Sequence, residues 1–315
     1  MNDSHCEVWM YLVAVTTEIE VLRFAYIFNC VLNIFLSLSA ILLNTVTIYV
    51  MQKTSSLPKT LKNLKTLLLS LAVSDIGVGL LVQPFYSSLL IKCLQGNFPS
   101  CNIFNMFGII CGFFSIASFF GIVAVSVDRF LAVHLHLRYQ ELVTHKRVAS
   151  LVVSIWLLSA FGSSMHLWVS SFIQNLSYIV IAILSVIIAA LVYIRIYLTV
   201  RLHKKNVQAL KGQQQDKNTG EMASVVAVVK SAVGIFYVYL VFLACYSPII
   251  VYFAFAEMTT TNSNVLKRVY LFSYTFVFLN SSLNPVIYCL KMKHIRCAVM
   301  DLLQKMSWQR NRALH

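Results

Sequence analysis

A single carboxylate, Asp75, stands deep inside an apolar stretch of this chain, and other apolar stretches carry Asn44, Ser118, Asn280, Ser281 and Asn284. A charge held far from water is costly unless polar groups face it, so such an acid marks a functional site. One carboxylate among neutral oxygens suits a hard cation such as Na⁺; transition metals favour imidazole and thiolate. The expected sodium ligands are Asp75, Ser118, Asn280 and Asn284. A second pair lies further on. Asp128 and Arg129 are adjacent and follow 35 residues (93–127) without any Asp, Glu, Lys or Arg. Opposite charges closing so long an apolar run belong at a boundary, where their ion pair escapes the full cost of burial. The sequence shows no His-rich cluster and no Ser/His/Asp constellation within its apolar stretches, so no enzymatic turnover and no cofactor beyond the allosteric ion are expected.

The elements that must position these residues are long apolar segments. The chain has 315 residues, 59% apolar and 11% charged, whereas soluble proteins carry about a quarter charged residues. A helix crossing a bilayer needs about 20 apolar residues. Seven stretches satisfy this, near 26–51, 64–91, 102–134, 148–170, 173–200, 223–256 and 265–290. The fold class is therefore an all-α membrane protein, a seven-helix bundle forming one domain over 1–315. Residues 1–25 are expected to form a short tail rather than a signal peptide, because "VWMYLVAV" follows no basic segment. Residues 291–315 are expected to form an amphipathic helix and tail at the membrane surface, with Ile295, Val299, Leu302 and Leu303 on its apolar face.

Basic residues set the orientation. With the N-terminus outside, cytoplasmic segments hold 21 of the 25 Lys and Arg, leaving Arg23, Lys92, Lys267 and Arg268. The net charge of +14 thus reports topology and attraction to anionic lipid, and nucleic acid is not an expected partner. Sequons at Asn2 and Asn175 fall outside as glycosylation candidates, while Asn280-Ser-Ser lies within a span. A seven-helix transporter or ion channel is the alternative function. It would need a continuous polar path, yet Asp75 is nearly alone in mid-membrane, and no internal repeat suggests duplicated halves.

The motifs stand in order: "LLN" with Asn44, "LAVSD" with Asp75, "DRF" at 128–130, Trp156, "CYSP" at 245–248 and "NPVIY" at 284–288. In this pattern the chain resembles a class A (rhodopsin-like) G-protein-coupled receptor of the plasma membrane. The resemblance implies that Asp128 holds Arg129 at rest and releases it to a heterotrimeric G protein, with Leu137 packing into that partner. Pro248 and Pro285 each remove a helical donor and permit a bend. By the same resemblance Asn284, Pro285 and Tyr288 form a switch in which Tyr288 pairs through water with Tyr193, and Tyr246 replaces the usual tryptophan of the sixth span. Phe130 replaces the usual tyrosine and His136 a common proline.

Departures narrow the group. No cysteine lies in 112–244, so the family's usual disulfide to the loop between the fourth and fifth spans cannot form, and the fifth span lacks its usual proline. This is similar to melanocortin, adenosine, cannabinoid and lysophospholipid receptors. Cys111 stands where amine receptors carry Asp, Phe253 where adenosine receptors use Asn, and no Lys in 269–290 could hold retinal. The expected pocket is Phe107, Cys111, Ser115, Phe242, Tyr246, Ile249, Phe253, Tyr274 and Phe278, which points to a small apolar or lipid-like ligand. Two cysteine readings stay open. Cys93 and Cys101 bracket a short outer loop and are the candidate disulfide, with Cys6 competing. Cys297 is the palmitoylation candidate, with Cys289 as the alternative.

Overall fold

The computed structural model describes residues 19–53, 59–97, 99–135, 138–210, 219–258, 264–292, 295–302 and 304. Helices account for the seven expected spans, and no strand occurs among the described residues. Where water is excluded, only helical backbone satisfies its own donors and acceptors within one segment. The spans are Ile19–Lys53, then Lys59–Gly77 continued through a π-helical turn at Val78–Val82 into Gln83–Leu94, then Cys101–Leu135, His145–Ser164, Ser171–Leu210, Thr219–Met258 and Asn264–Lys291. Six of these are long and apolar enough to cross a membrane. The seventh, with 28 residues, is about 42 Å long at helical rise, enough for a bilayer. It is more polar because its Ser273, Thr275, Asn280, Ser281, Ser282 and Asn284 are buried against neighbouring helices.

Local sequence explains the ends. Gly96 adopts φ +74°, and a left-handed residue at this place stops a helix while its neighbours' N–H groups cap the last carbonyls. Asn97 N donates to Lys92 O at 3.0 Å and Gly96 N to Cys93 O at 3.1 Å. Thr144 caps the fourth span by accepting from Arg147 N at 3.5 Å. The fourth span closes in a 3-10 turn at Met165–Leu167, so helix ends there before the expected residue 170. A four-residue helix, Tyr139–Leu142, joins the third and fourth spans.

The third span is central and packs against the second, fourth, fifth and sixth, while the seventh packs along the sixth and the first. Two apolar clusters fill the bundle. One gathers Tyr26, Tyr86, Phe104, Phe107, Tyr252 and Phe278 toward the end that carries Cys101. The other gathers Leu67, Ile122, Tyr239, Phe242 and Tyr288 toward the opposite end, which carries Lys53 and Lys291 and is called here the basic end. Leu151, Leu157 and Leu158 of the fourth span and Ile183, Ile187 and Leu191 of the fifth face outward, as lipid contact requires. Residues 295–302 form a last helix whose Ile295 and Val299 pack on the basic-end cluster; Leu303 lies outside the described residues.

Candidate functional site

At the basic end of the third span, Arg129 is fully buried and pairs with Asp128, with its Nε donating to Oδ2 at 3.0 Å and Nη2 at 2.5 Å. The second carboxylate oxygen is also engaged, since the Tyr139 hydroxyl donates to Asp128 Oδ1 at 2.6 Å. Tyr139 comes from the short connecting helix and is 1% exposed. Burial, then the Asp128 charge, push its phenol well above the ordinary value, so it stays a donor through the neutral range. The expected pair thus exists, and it has a third member that sequence reading missed. Leu137 lies outside the described residues.

Asp75 is completely buried one turn before the π-helical turn. Asn284 of the seventh span donates from Nδ2 to Asp75 Oδ2 at 2.9 Å. Ser118 of the third span meets Ser74 at 3.1 Å, beside Asp75. Asn44 ties the first span to the seventh by donating to Ser281 O at 2.9 Å. Asp75 Oδ1, Asn280 Oδ1 and Asn284 Oδ1 are buried and have no hydrogen-bond partner among the described residues. One carboxylate oxygen and two neutral amide oxygens, all buried and unpartnered, are the donor types a hard cation takes.

The residues of the expected pocket divide between the two clusters. Phe107 lies 5.5 Å from Tyr274, and Phe278 is 6.1 Å from Tyr274, ring centre to ring centre. Tyr86, absent from the sequence reading, joins them: its ring stacks on Phe107 at 5.7 Å and meets Phe278 at 5.4 Å. Its hydroxyl donates to Leu271 O at 2.9 Å. Cys111 and Ser115 face one another at 4.0 Å, and Ile249 and Phe253 pack on the same cluster. Phe242 stacks on Tyr246 at 4.2 Å and belongs with the basic-end residues, while Tyr246 touches both clusters. Tyr178 of the fifth span, 3.1 Å from Gln174 and 6.4 Å from the Phe253 ring, was likewise unanticipated.

Pro248 and Pro285 lie inside the sixth and seventh helices. Tyr193 and Tyr288 are not bonded to each other: Tyr193 donates to Ser126 at 3.4 Å, and the Tyr288 hydroxyl is buried without a partner among the described residues.

The expected Cys93–Cys101 disulfide is absent. Cys93 is a buried free thiol, while Cys101 is disulfide-bonded. The helix continues through Cys93 to Leu94, which turns this thiol into the core. The competing Cys6 and the sequon at Asn2 lie outside the described residues. Asn175 sits in the first turns of the fifth span. Cys297 is exposed and Cys289 half-buried, both as free thiols.

An all-helical bundle with long apolar outer faces and a buried polar interior defines an integral membrane protein. Its sequence matches the family described as 7 transmembrane receptor (rhodopsin family) over residues 43–175 and 168–288, and the chain belongs to that family. The adenosine receptor A2b of Gallus gallus is 45% identical over 101 residues, covering 32% of this chain and 28% of the receptor. The histamine H2 receptor of Canis lupus familiaris is 29% identical over 265 residues, covering 75% and 69%. The melanocortin receptor 5 of Ovis aries is 23% identical over 246 residues, covering 74% and 72%. The matches to adenosine receptors span less than a third of those receptors' length.

Proposed function

We propose that this receptor binds an uncharged, small apolar or lipid-like ligand at its Cys101 end, outside the plasma membrane, and activates a heterotrimeric G protein at its basic end, in the cytoplasm. The observation that carries the reading is the closed Asp128–Arg129–Tyr139 cluster. A cation buried at the basic end and paired with its neighbouring acid is poised to be exchanged for another partner. Release of Arg129 requires Asp128, which Tyr139 holds by its other oxygen, to part from it, and this opens the end of the bundle where the basic loops lie. Bends at Pro248 and Pro285 let the sixth and seventh spans move without losing a normal helical bond.

The ligand class follows from the aromatic walls. Phe107, Tyr86, Tyr274 and Phe278 offer ring faces, and Tyr178 and Gln174 add neutral hydrogen-bonding groups. The Asp75 site fits Na⁺, with Asp75, Ser118, Asn280 and Asn284 as its protein oxygens; the ion would supply a counter-charge that lets Asp75 remain ionised. The unpartnered oxygens support that assignment.

Nucleotide exchange on purified G proteins, measured with receptor in lipid nanodiscs, tests the reading. Wild-type receptor should raise exchange above the G protein alone, basally or with a lipid-like agonist from a screen. Arg129→Ala should abolish that increment while surface expression stays near wild type. Equal exchange by both proteins would refute the role given to Arg129.

A further inference from the structure

Gln83 is fully buried, and both its amide nitrogen and its amide oxygen lack a hydrogen-bond partner among the described residues. Its surroundings follow from the residues one turn to either side. Four residues before it, Gly79 lies against the first span: Ser37 Oγ donates to Gly79 O at 2.7 Å, and a Cβ there would meet Ser37 O at 3.1 Å. Four residues after it, Ser87 lies near Cys30 of the same span, and its buried hydroxyl makes no hydrogen bond among the described residues. The register therefore runs Gly79 to Ser37 and Ser87 to Cys30, in opposite chain directions, which puts Gln83 level with Asn33.

Asn33 is also fully buried, and its Oδ1 has no partner among the described residues. Its Nδ2 donates to Asn29 O at 2.8 Å and to Thr275 Oγ1 of the seventh span at 2.9 Å. Thr275 in turn donates to Asn29 Oδ1. Three spans thus bring amides and a hydroxyl to one level, and neither the G-protein face nor the aromatic pocket uses them.

Buried polar atoms almost always find partners, protein or bound solvent, because leaving an amide desolvated is strongly unfavourable. A direct Gln83–Asn33 contact would satisfy a donor of Gln83 and the oxygen of Asn33, and would still leave Gln83 Oε1 alone. A bridging group must both donate and accept. We propose that the first, second and seventh spans enclose a small site, distinct from the aromatic pocket, that binds an uncharged donor–acceptor group between Gln83 and Asn33. Water is the simplest such group, and the carboxamide of an organic molecule is the larger one. The occupant ties the second span to the first, which Thr275 already joins to the seventh. The inference needs only the helix packing and stands apart from the proposed ligand and G protein.

The test uses full-length receptor in lipid nanodiscs without agonist. Gln83→Leu and Asn33→Leu should each lower the melting temperature by a few degrees. The double variant should lower it by less than the sum, because both substitutions remove the same bridge. A cryo-EM map should show density within hydrogen-bond distance of both residues. Acetamide separates the two occupants: stabilisation of wild type but not of Gln83→Leu assigns the carboxamide form, and no stabilisation assigns water. Gln83→Met, which keeps the shape, should behave as Gln83→Leu, so a packing defect is distinguishable. A higher melting temperature in Gln83→Leu, strictly additive losses, or amides bonded directly with no density between them would overturn the site.

Discussion

The hydroxyl of Tyr139 and the carboxylate of Asp128 meet at 2.6 Å across the junction of the third span and its connecting helix. The bond makes the resting pair with Arg129 a three-part cluster, anchored outside the membrane as well as at its edge. A hydrogen bond to a charged group contributes about 1.5–3 kcal/mol. Tyr139→Phe removes it and leaves the ring in place. Basal nucleotide exchange should rise several-fold in the variant, with surface expression unchanged. Exchange at the wild-type level would show that Tyr139 is only packing.

A second restraint closes the same end. Lys291 Nζ lies 3.8 Å from the centre of the Tyr237 ring. Gly234 lets the sixth and seventh spans approach there, since a Cβ on it would meet Lys291 Cβ at 3.2 Å. Such a contact is worth about 0.5–1 kcal/mol at an exposed site. Tyr237→Leu should raise basal exchange by about two- to five-fold, and Tyr237→Phe, which keeps the ring, should not.

Sodium should stabilise the wild-type receptor, and heat-denaturation curves in NaCl against N-methylglucamine chloride read this directly. The melting temperature should be higher in Na⁺, and Asp75→Asn should erase the difference while the protein remains folded. The same shift in wild type and variant would remove Asp75 from the ion site.

The cysteine assignment is checked by mass spectrometry of non-reduced peptides after alkylation. Cys93 should carry the alkyl label only after unfolding, because it is buried. Cys101 should become labelled only after reduction. A Cys93–Cys101 linked peptide would contradict the structure.

The membrane-embedded parts of the fold were the most legible in the sequence, because hydrocarbon imposes one simple demand on composition. The apolar run at 173–200 marks the fifth span well, yet the helix reaches Leu210, through Lys204 and Lys205, where no hydropathy signal remains. The Asp75–Asn284 contact was readable because an acid and an amide stand out within apolar runs. Tyr139 was not, since its importance lies in a turn that folds it back onto Asp128. Cys93 misled for a related reason: proximity to Cys101 along the chain says nothing about which way the last helical turn points. Gln83 and Tyr86 carried one faint signal, an amide and a phenol in the half of the second span beyond Asp75, whose meaning depended on helix phase.

That phase is set by the π-helical turn at Val78–Val82. Inserting one residue into a helix turns everything beyond it by about 100° relative to what came before. The second span is thus two screws cut to different starts. The lower one holds Asp75 toward Asn284, and the upper one aims Gln83 and Tyr86. Five residues in this wide turn carry the chain about as far round the axis as four ordinary helical residues, so the turn absorbs one extra residue and leaves both halves in place. Drawing the same five residues into an ordinary helix, with none removed, would spin the upper screw by nearly a quarter turn and carry Tyr86 away from Phe107 and Phe278, while the machinery below keeps its setting.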